Sequence, residues 1–143
     1  METITPWKAH VDGAARGNPG PAGIGIIIED PAGAIRCEIG EPFGVTTNNV
    51  AEYSALIRAL EEARALGCTR LEVYTDSELV AHQLNGRYAV KAAHLLPLYQ
   101  RARQILAQFE HATVTHVPRQ NNQRADALSN RGADLAEAGA HTE

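Results

Sequence analysis

The chain has 143 residues, 44% of them hydrophobic and 21% charged, with a formal net charge of −4. That is an ordinary globular mixture, long enough for one domain with its own core. No apolar run reaches the length of a membrane span, and an acidic chain is not a general nucleic-acid coat. A nucleic-acid role would need a local basic patch, or metal ions that offset clustered acids.

Residues 1–6 are expected to form a loose terminus. They lack the basic start and long apolar core of a secretory signal, which points to a cytoplasmic protein with no membrane partner. From Trp7 to Ala15 the pattern alternates, with Trp7, Ala9 and Val11 on one face and Lys8, His10 and Asp12 on the other. A first strand is predicted there, delivering Asp12 into the glycine-rich turn Gly13 to Gly20. Ile24 to Ile28 is a second strand, Asp30 to Gly33 a turn, and Ala34 to Ile39 a third strand, together an antiparallel meander. Glu41 to Thr47 reads as a connector.

Thr47 or Asn48 caps a long helix running to about Leu66, in which Tyr53, Leu56, Ile57, Leu60 and Ala63 recur at helical spacing. Gly67 stops it. Leu71 to Thr75 is a fourth strand, and Asp76-Ser77 opens a short helix to about Leu84. After a basic connector, a helix runs from His94 or Leu95 to about Phe109. Ala112 to Val117 is a fifth strand, Pro118 to Asn122 a loop, and Gln123 to about Ala136 a last helix before a small polar tail. Cys37 and Cys68 fit no metal spacing; reduced thiols are the default, with a Cys37–Cys68 bridge as the minority reading.

These elements assemble into an α/β fold: one five-stranded mixed sheet, its first three strands antiparallel, flanked by helices. A single domain is expected over residues 1–143, with a core of about 7–136 and short flexible termini.

Four acids stand out by position. Asp12 and Asp76 lie at strand ends; Glu52 and Asp126 lie in the first turns of helices. In open sheets, sites form beyond the carboxyl ends of strands. Each acid also has a plain structural reading. Glu52 complements a helix dipole, Asp76 is an N-cap, Asp126 is a surface acid, and Asp12 is a turn residue.

Val11-Asp12-Gly13 with Gly17-Asn18-Pro19-Gly20, then Thr47-Asn48-Asn49-Val50-Ala51-Glu52, Tyr74-Thr75-Asp76-Ser77 and Asn122-Gln-Arg-Ala-Asp126 resemble, in this order, type 1 ribonuclease H. The resemblance covers roughly residues 7–134. It implies the ribonuclease H fold and metal-dependent endonucleolytic hydrolysis of the RNA strand of RNA–DNA hybrids, leaving 5′-phosphate and 3′-hydroxyl ends. It also implies two Mg²⁺ ions, with Mn²⁺ as a substitute, held by Asp12, Glu52, Asp76 and Asp126. Two such ions about 4 Å apart activate a water and stabilise the leaving oxygen, and Mg²⁺ takes carboxylate oxygens. Without metal, clustered carboxylates repel and at least one should hold its proton to unusually high pH, so activity should fall in acid. By resemblance, Gly13, Asn18, Asn48 and Asn49 approach the RNA strand or the minor groove, where the 2′-OH distinguishes RNA from DNA. Thr47 helps bind a DNA-strand phosphate, a role that coexists with capping. A monomer is expected, and duplex RNA is left open as a second partner.

Two departures from the family pattern are visible. The interval from Asp76 to Ala112 has no room for the basic, aromatic helix that grips the hybrid in well-known bacterial members, and it carries only Arg87, Lys91, Arg101 and Arg103 as Arg or Lys residues. Weaker substrate binding is expected, with the same chemistry. Arg119 stands where those members place a mobile histidine. An arginine neutralises charge near the scissile phosphate or aids product release but is a poor proton donor; His116 is the other candidate. A 3′–5′ exonuclease or a junction resolvase on the same fold is the competing enzyme reading. The exonucleases pair acids as Asp-x-Glu, and Ala14 stands at that position. A non-catalytic hybrid-binding module is the remaining reading, though it would be expected to have lost an acid.

Overall fold

The computed structural model describes residues 5–140. The chain runs β1 (Trp7–Ala15), β2 (Gly20–Glu29), β3 (Ile35–Thr46), α1 (Asn48–Ala65), β4 (Arg70–Thr75), α2 (Glu78–Leu84), α3 (Leu96–Leu106), β5 (His111–His116), a 3-10 turn (Arg119–Asn121) and α4 (Gln123–Ala140). One sheet has the order β3-β2-β1-β4-β5. β1, β2 and β3 pair antiparallel, whereas β4 runs parallel to both β1 and β5. The expected mixed sheet with an antiparallel first half is what the chain forms.

α1 packs on one face of the sheet and brings Tyr53, Leu56, Ala59, Leu60 and Ala63 against Ala9, Val11, Leu71 and Val73, all fully or almost fully buried. Thr47 is its N-cap, with Oγ1 accepting from the Val50 N–H. α4 lies across β1, β2 and β3 on the opposite face. It sits unusually close. A methyl group at Gly25 would stand 2.1 Å from the Ala125 carbonyl oxygen, and one at Gly23 would stand 2.2 Å from that of Ser129. Glycines in β2 therefore meet small residues of α4, namely Ala125, Ser129 and Ala133, each 0% exposed. This approach carries the start of α4 down to the sheet's working end.

Several boundaries differ from expectation. The supposed connector 41–47 is mostly strand, because β2 is long enough to pair onward to Thr46. Pro42 is tolerated since β3 is an edge strand, and the register shift between Pro21 and Gly23 takes up an extra residue on β3. α3 ends at Leu106. Beyond it Phe109 continues the apolar pattern by being buried in the core while its N–H closes a turn onto Leu106. β5 begins and ends one residue earlier than expected, and the loop after it contains the 3-10 turn. α4 continues to Ala140 rather than stopping near Ala136. Arg16 ties its later turns to the end of β1 through Asp134 at 2.7 Å and Glu137 at 3.1 Å. The expected loose ends fall partly on residues 1–4 and 141–143, which lie outside the described residues. Cys37 and Cys68 are both free thiols. No described helix is long and apolar enough to cross a membrane.

Candidate active site

The parallel register pairs Val11 with Thr75, so Asp12 and Asp76 follow side by side where the β1–β4 ladder ends. β1 itself continues past Asp12 on its other side, where it still pairs with β2 as far as Ala15. Glu52 reaches the same point from the first turns of α1. Gly13 makes this possible: a methyl there would meet the Ala51 carbonyl carbon and oxygen at 2.2 Å. With only hydrogen in that space, the Gly13 N–H donates to Glu52 Oε1 at 2.6 Å.

Asp12, Glu52 and Asp76 each present an oxygen within 4.8 Å of the others. Asp12 is 4% and Glu52 7% exposed. Burial raises the Asp12 carboxyl well above the ordinary carboxylate range, the neighbouring Glu52 charge raises it further, and the Ser129 hydrogen bond works against both. Glu52 is also raised, first by burial and then by Asp76, while the Gly13 N–H works the other way. Each of these buried carboxyls therefore holds its proton to higher pH because of burial and a neighbouring acid. Such a group of hard oxygen donors, within 4.8 Å of one another, fits divalent cations that prefer oxygen ligands.

Asp126 is brought near but not into this tight group. It projects from the first turn of α4 and is half-buried, with Oδ1 accepting from the Arg119 guanidinium at 3.3 Å. Arg119 is mostly exposed and feels Asp126 first, then Asp76 and Asp12. A cleft of about 360 Å³ is lined by Asp12, Gly13, Ala14, Asn48, Glu52, Asp76 and Arg119. A tighter cavity against His10, Ile27 and the start of α4 lies elsewhere and touches none of the four acids.

The Asn18 and Asn48 side chains join the β1–β2 turn and the end of β1 to the start of α1 beside the cleft. Asn18 Oδ1 accepts from the Asn48 N–H at 3.0 Å, and Asn48 Oδ1 accepts from the Ala15 N–H at 3.3 Å. Thr47 and Asn49 flank Asn48 without lining the cleft. His116 closes β5 on the exposed surface, with its ring 6.1 Å from that of His82. Ser77, not Asp76, is the N-cap of α2, which frees the Asp76 carboxylate from that structural role.

Two buried side chains to which sequence reasoning gave no role brace the site. Asn122 Nδ2 donates to the Val11 carbonyl at 2.8 Å. The Ser129 hydroxyl bonds Asp12 Oδ2. The signal for both was their spacing: 122 and 129 are seven residues apart, hence on one helix face, with Asp126 between them.

A sheet of this order, with carboxylates gathered where its parallel ladder ends, defines the ribonuclease H-like class. The sequence profile of the reverse-transcriptase-like family matches residues 10–132. Ribonuclease HI of Halobacterium salinarum is 46% identical over 128 residues, covering 90% of this chain and 64% of that protein. Its crystal structure superposes with a TM-score of 0.87 at 45% identity, over 92% of this chain and 99% of the other. Ribonuclease H of Halorhodospira halophila is 38% identical over 141 residues, covering 89% of this chain and 92% of that protein. LC11-RNase H1, solved in complex with an RNA/DNA hybrid, superposes with a TM-score of 0.85 at 42% identity, over 91% of this chain and 98% of the other. The chain belongs to the type 1 ribonuclease H family. It spans 64% of the length of the Halobacterium relative and 35% of the mycobacterial relatives it also matches.

Proposed function

We propose that this chain is a metal-dependent endoribonuclease that hydrolyses the RNA strand of RNA–DNA hybrids. The observation that carries the reading is the carboxylate group Asp12, Glu52 and Asp76, with oxygens within 4.8 Å of one another at the floor of an open cleft. A relative of 42% identity with an RNA/DNA hybrid in its crystal supports the substrate class.

Asp12, Glu52 and Asp76 would hold two Mg²⁺ ions, with Mn²⁺ as a substitute, and Asp126 would complete the set on the α4 side. The ions supply a water nucleophile at neutral pH and charge for the leaving oxygen. The chain supplies position. Gly13 fixes Glu52 through its N–H, its missing side chain makes room for the Ala51–Glu52 backbone, and its own backbone lines the cleft where the RNA strand would lie. Asn48 lines the cleft with Asn18 locked behind it, so their amides address ribose hydroxyls and base edges in the minor groove. Asn49 adds to that contact, and Thr47 meets a phosphate of the DNA strand. Arg119 brings the one positive charge among the cleft-lining residues, placed to neutralise the scissile phosphate after leaving Asp126. Its guanidinium stays protonated, so it acts by charge and not by giving a proton. In-line attack on phosphorus with the 3′ oxygen leaving yields 5′-phosphate and 3′-hydroxyl ends.

Substrate grip should be modest. No extra helix stands between α2 and α3 among the described residues. Arg103 donates to the Leu84 carbonyl and Arg101 pairs with Glu61, which leaves Arg87 and Lys91 for the hybrid. The chain acts as a single-domain cytoplasmic monomer in this reading.

Cleavage of labelled RNA–DNA hybrid, duplex RNA and duplex DNA, with Mg²⁺ or Mn²⁺, tests the proposal against the Asp12→Asn variant. Hybrid cutting by the wild type alone supports it, and the duplex RNA arm decides whether that is a second substrate. Equal cutting of duplex DNA sinks it.

A further inference from the structure

We propose that Ser129 is a positioning residue of the metal site: its hydroxyl holds one oxygen of Asp12 and so presents the other to the cation. The inference rests on the proposal that Asp12 binds metal. Ser129 is 0% exposed and sits one turn beyond Asp126 on α4. Its Oγ lies within hydrogen-bond reach of two acceptors, Asp12 Oδ2 and the Asp126 carbonyl, the latter at 2.9 Å.

A hydroxyl has one hydrogen to give. The Asp126 carbonyl already receives Asn130 Nδ2 at 2.9 Å. A carboxylate is the stronger acceptor, so the Ser129 hydrogen belongs to Asp12. That bond crosses from α4 to β1 and links the helix turn carrying Asp126 to the strand carrying Asp12. Asn122 makes a parallel tie one residue earlier on β1, to the Val11 carbonyl. Packing leaves Ser129 little freedom, because β2 closes on its backbone at Gly23 and Gly25. A carboxylate with one oxygen fixed in this way loses rotational freedom before the cation arrives, and partners that orient a ligand are worth much of its affinity.

The test is calorimetric titration of Mg²⁺ into wild type and Ser129→Ala without substrate, with melting curves in EDTA and in Mg²⁺. Alanine suits this position, since Ala125 and Ala133 are buried on the same stripe. We expect the dissociation constant for Mg²⁺ to rise roughly tenfold in Ser129→Ala, as for loss of a partner that orients a ligand. The gain in melting temperature on adding Mg²⁺ should shrink, while the EDTA melting temperature stays close to wild type. In hybrid cleavage the Mg²⁺ concentration for half-maximal rate should rise more than the rate at saturating Mg²⁺ falls. Ser129→Cys, a poor hydrogen-bond donor of similar size, should behave alike and serves if the alanine variant does not fold. Wild-type Mg²⁺ affinity in a folded variant overturns the proposal. So does a loss of melting temperature in EDTA with an unchanged Mg²⁺ gain. Failure of the wild type itself to bind Mg²⁺ would instead overturn the metal reading of Asp12.

Discussion

Asp12→Asn should stabilise the metal-free protein while abolishing its response to Mg²⁺. Asp12, Glu52 and Asp76 offer oxygens within 4.8 Å of one another, and two of these acids are more than nine-tenths buried. Two unit charges at that separation repel by about 3.5 kcal/mol at an effective dielectric of 20. Protonation of one carboxyl relieves part of this at the cost of holding a proton above its ordinary range, so about 1–3 kcal/mol of the strain should be recoverable. Asparagine keeps the shape, still accepts from Ser129 and carries no charge. For a chain of this size the gain corresponds to a rise of roughly 3–9 °C in melting temperature. The assay is thermal unfolding followed by circular dichroism at pH 8, in EDTA and in excess Mg²⁺. Wild type should gain stability with Mg²⁺ and the variant should not, so the two curves approach each other or cross. A variant less stable than wild type in EDTA, or one with an undiminished Mg²⁺ gain, would refute the electrostatic account of the site.

The same coupled carboxyls set the pH dependence. Their folded pKa values lie above the unfolded ones, so in EDTA their contribution is fully present below about pH 4 and is lost as pH rises through the raised folded values. Melting temperature in EDTA should therefore fall from pH 6 to pH 8.5, with a slope of up to about 1.4 kcal/mol per pH unit for each proton involved, and Mg²⁺ should stabilise more at the higher pH. A flat profile in EDTA would contradict this. Gly25→Ala should cost about 3 kcal/mol or more, because its methyl would collide with the Ala125 carbonyl oxygen at 2.1 Å and the Ser129 N at 2.6 Å; denaturant unfolding measures it. Arg119→Ala should lower turnover on hybrid by on the order of tenfold, as loss of a charge-stabilising group does, while His116→Ala leaves it close to wild type. Unchanged turnover in Arg119→Ala would remove that residue from the reaction.

Much of the architecture was legible in the chain. Alternation over 7–15, helical spacing over 48–65 and the turn residues between them depend on local periodicity, which survives without tertiary contacts. Boundaries went astray where distant partners decide them. The segment 41–46 is strand because β2 offers it a ladder, and α4 runs on to Ala140 with Arg16, just beyond β1, holding its side.

The four acids could be named from the chain because each belongs to a short motif at an element's end. How they divide could not. The register that sets Asp12 beside Asp76, and the close approach that excludes a methyl at Gly13, draw three of them together; Asp126 is left facing Arg119. Ser129 carries no motif that marks it, and Asn122, though it opens the motif that ends in Asp126, reads along the chain as an ordinary polar residue before a helix. Only the packing of α4 onto the glycines of β2 buries them and aims their hydrogen bonds at the strand that carries Asp12. Residue chemistry is local and can be read along the chain. The distances that turn separate acids into one site are set by contacts between segments 39 to 117 residues apart.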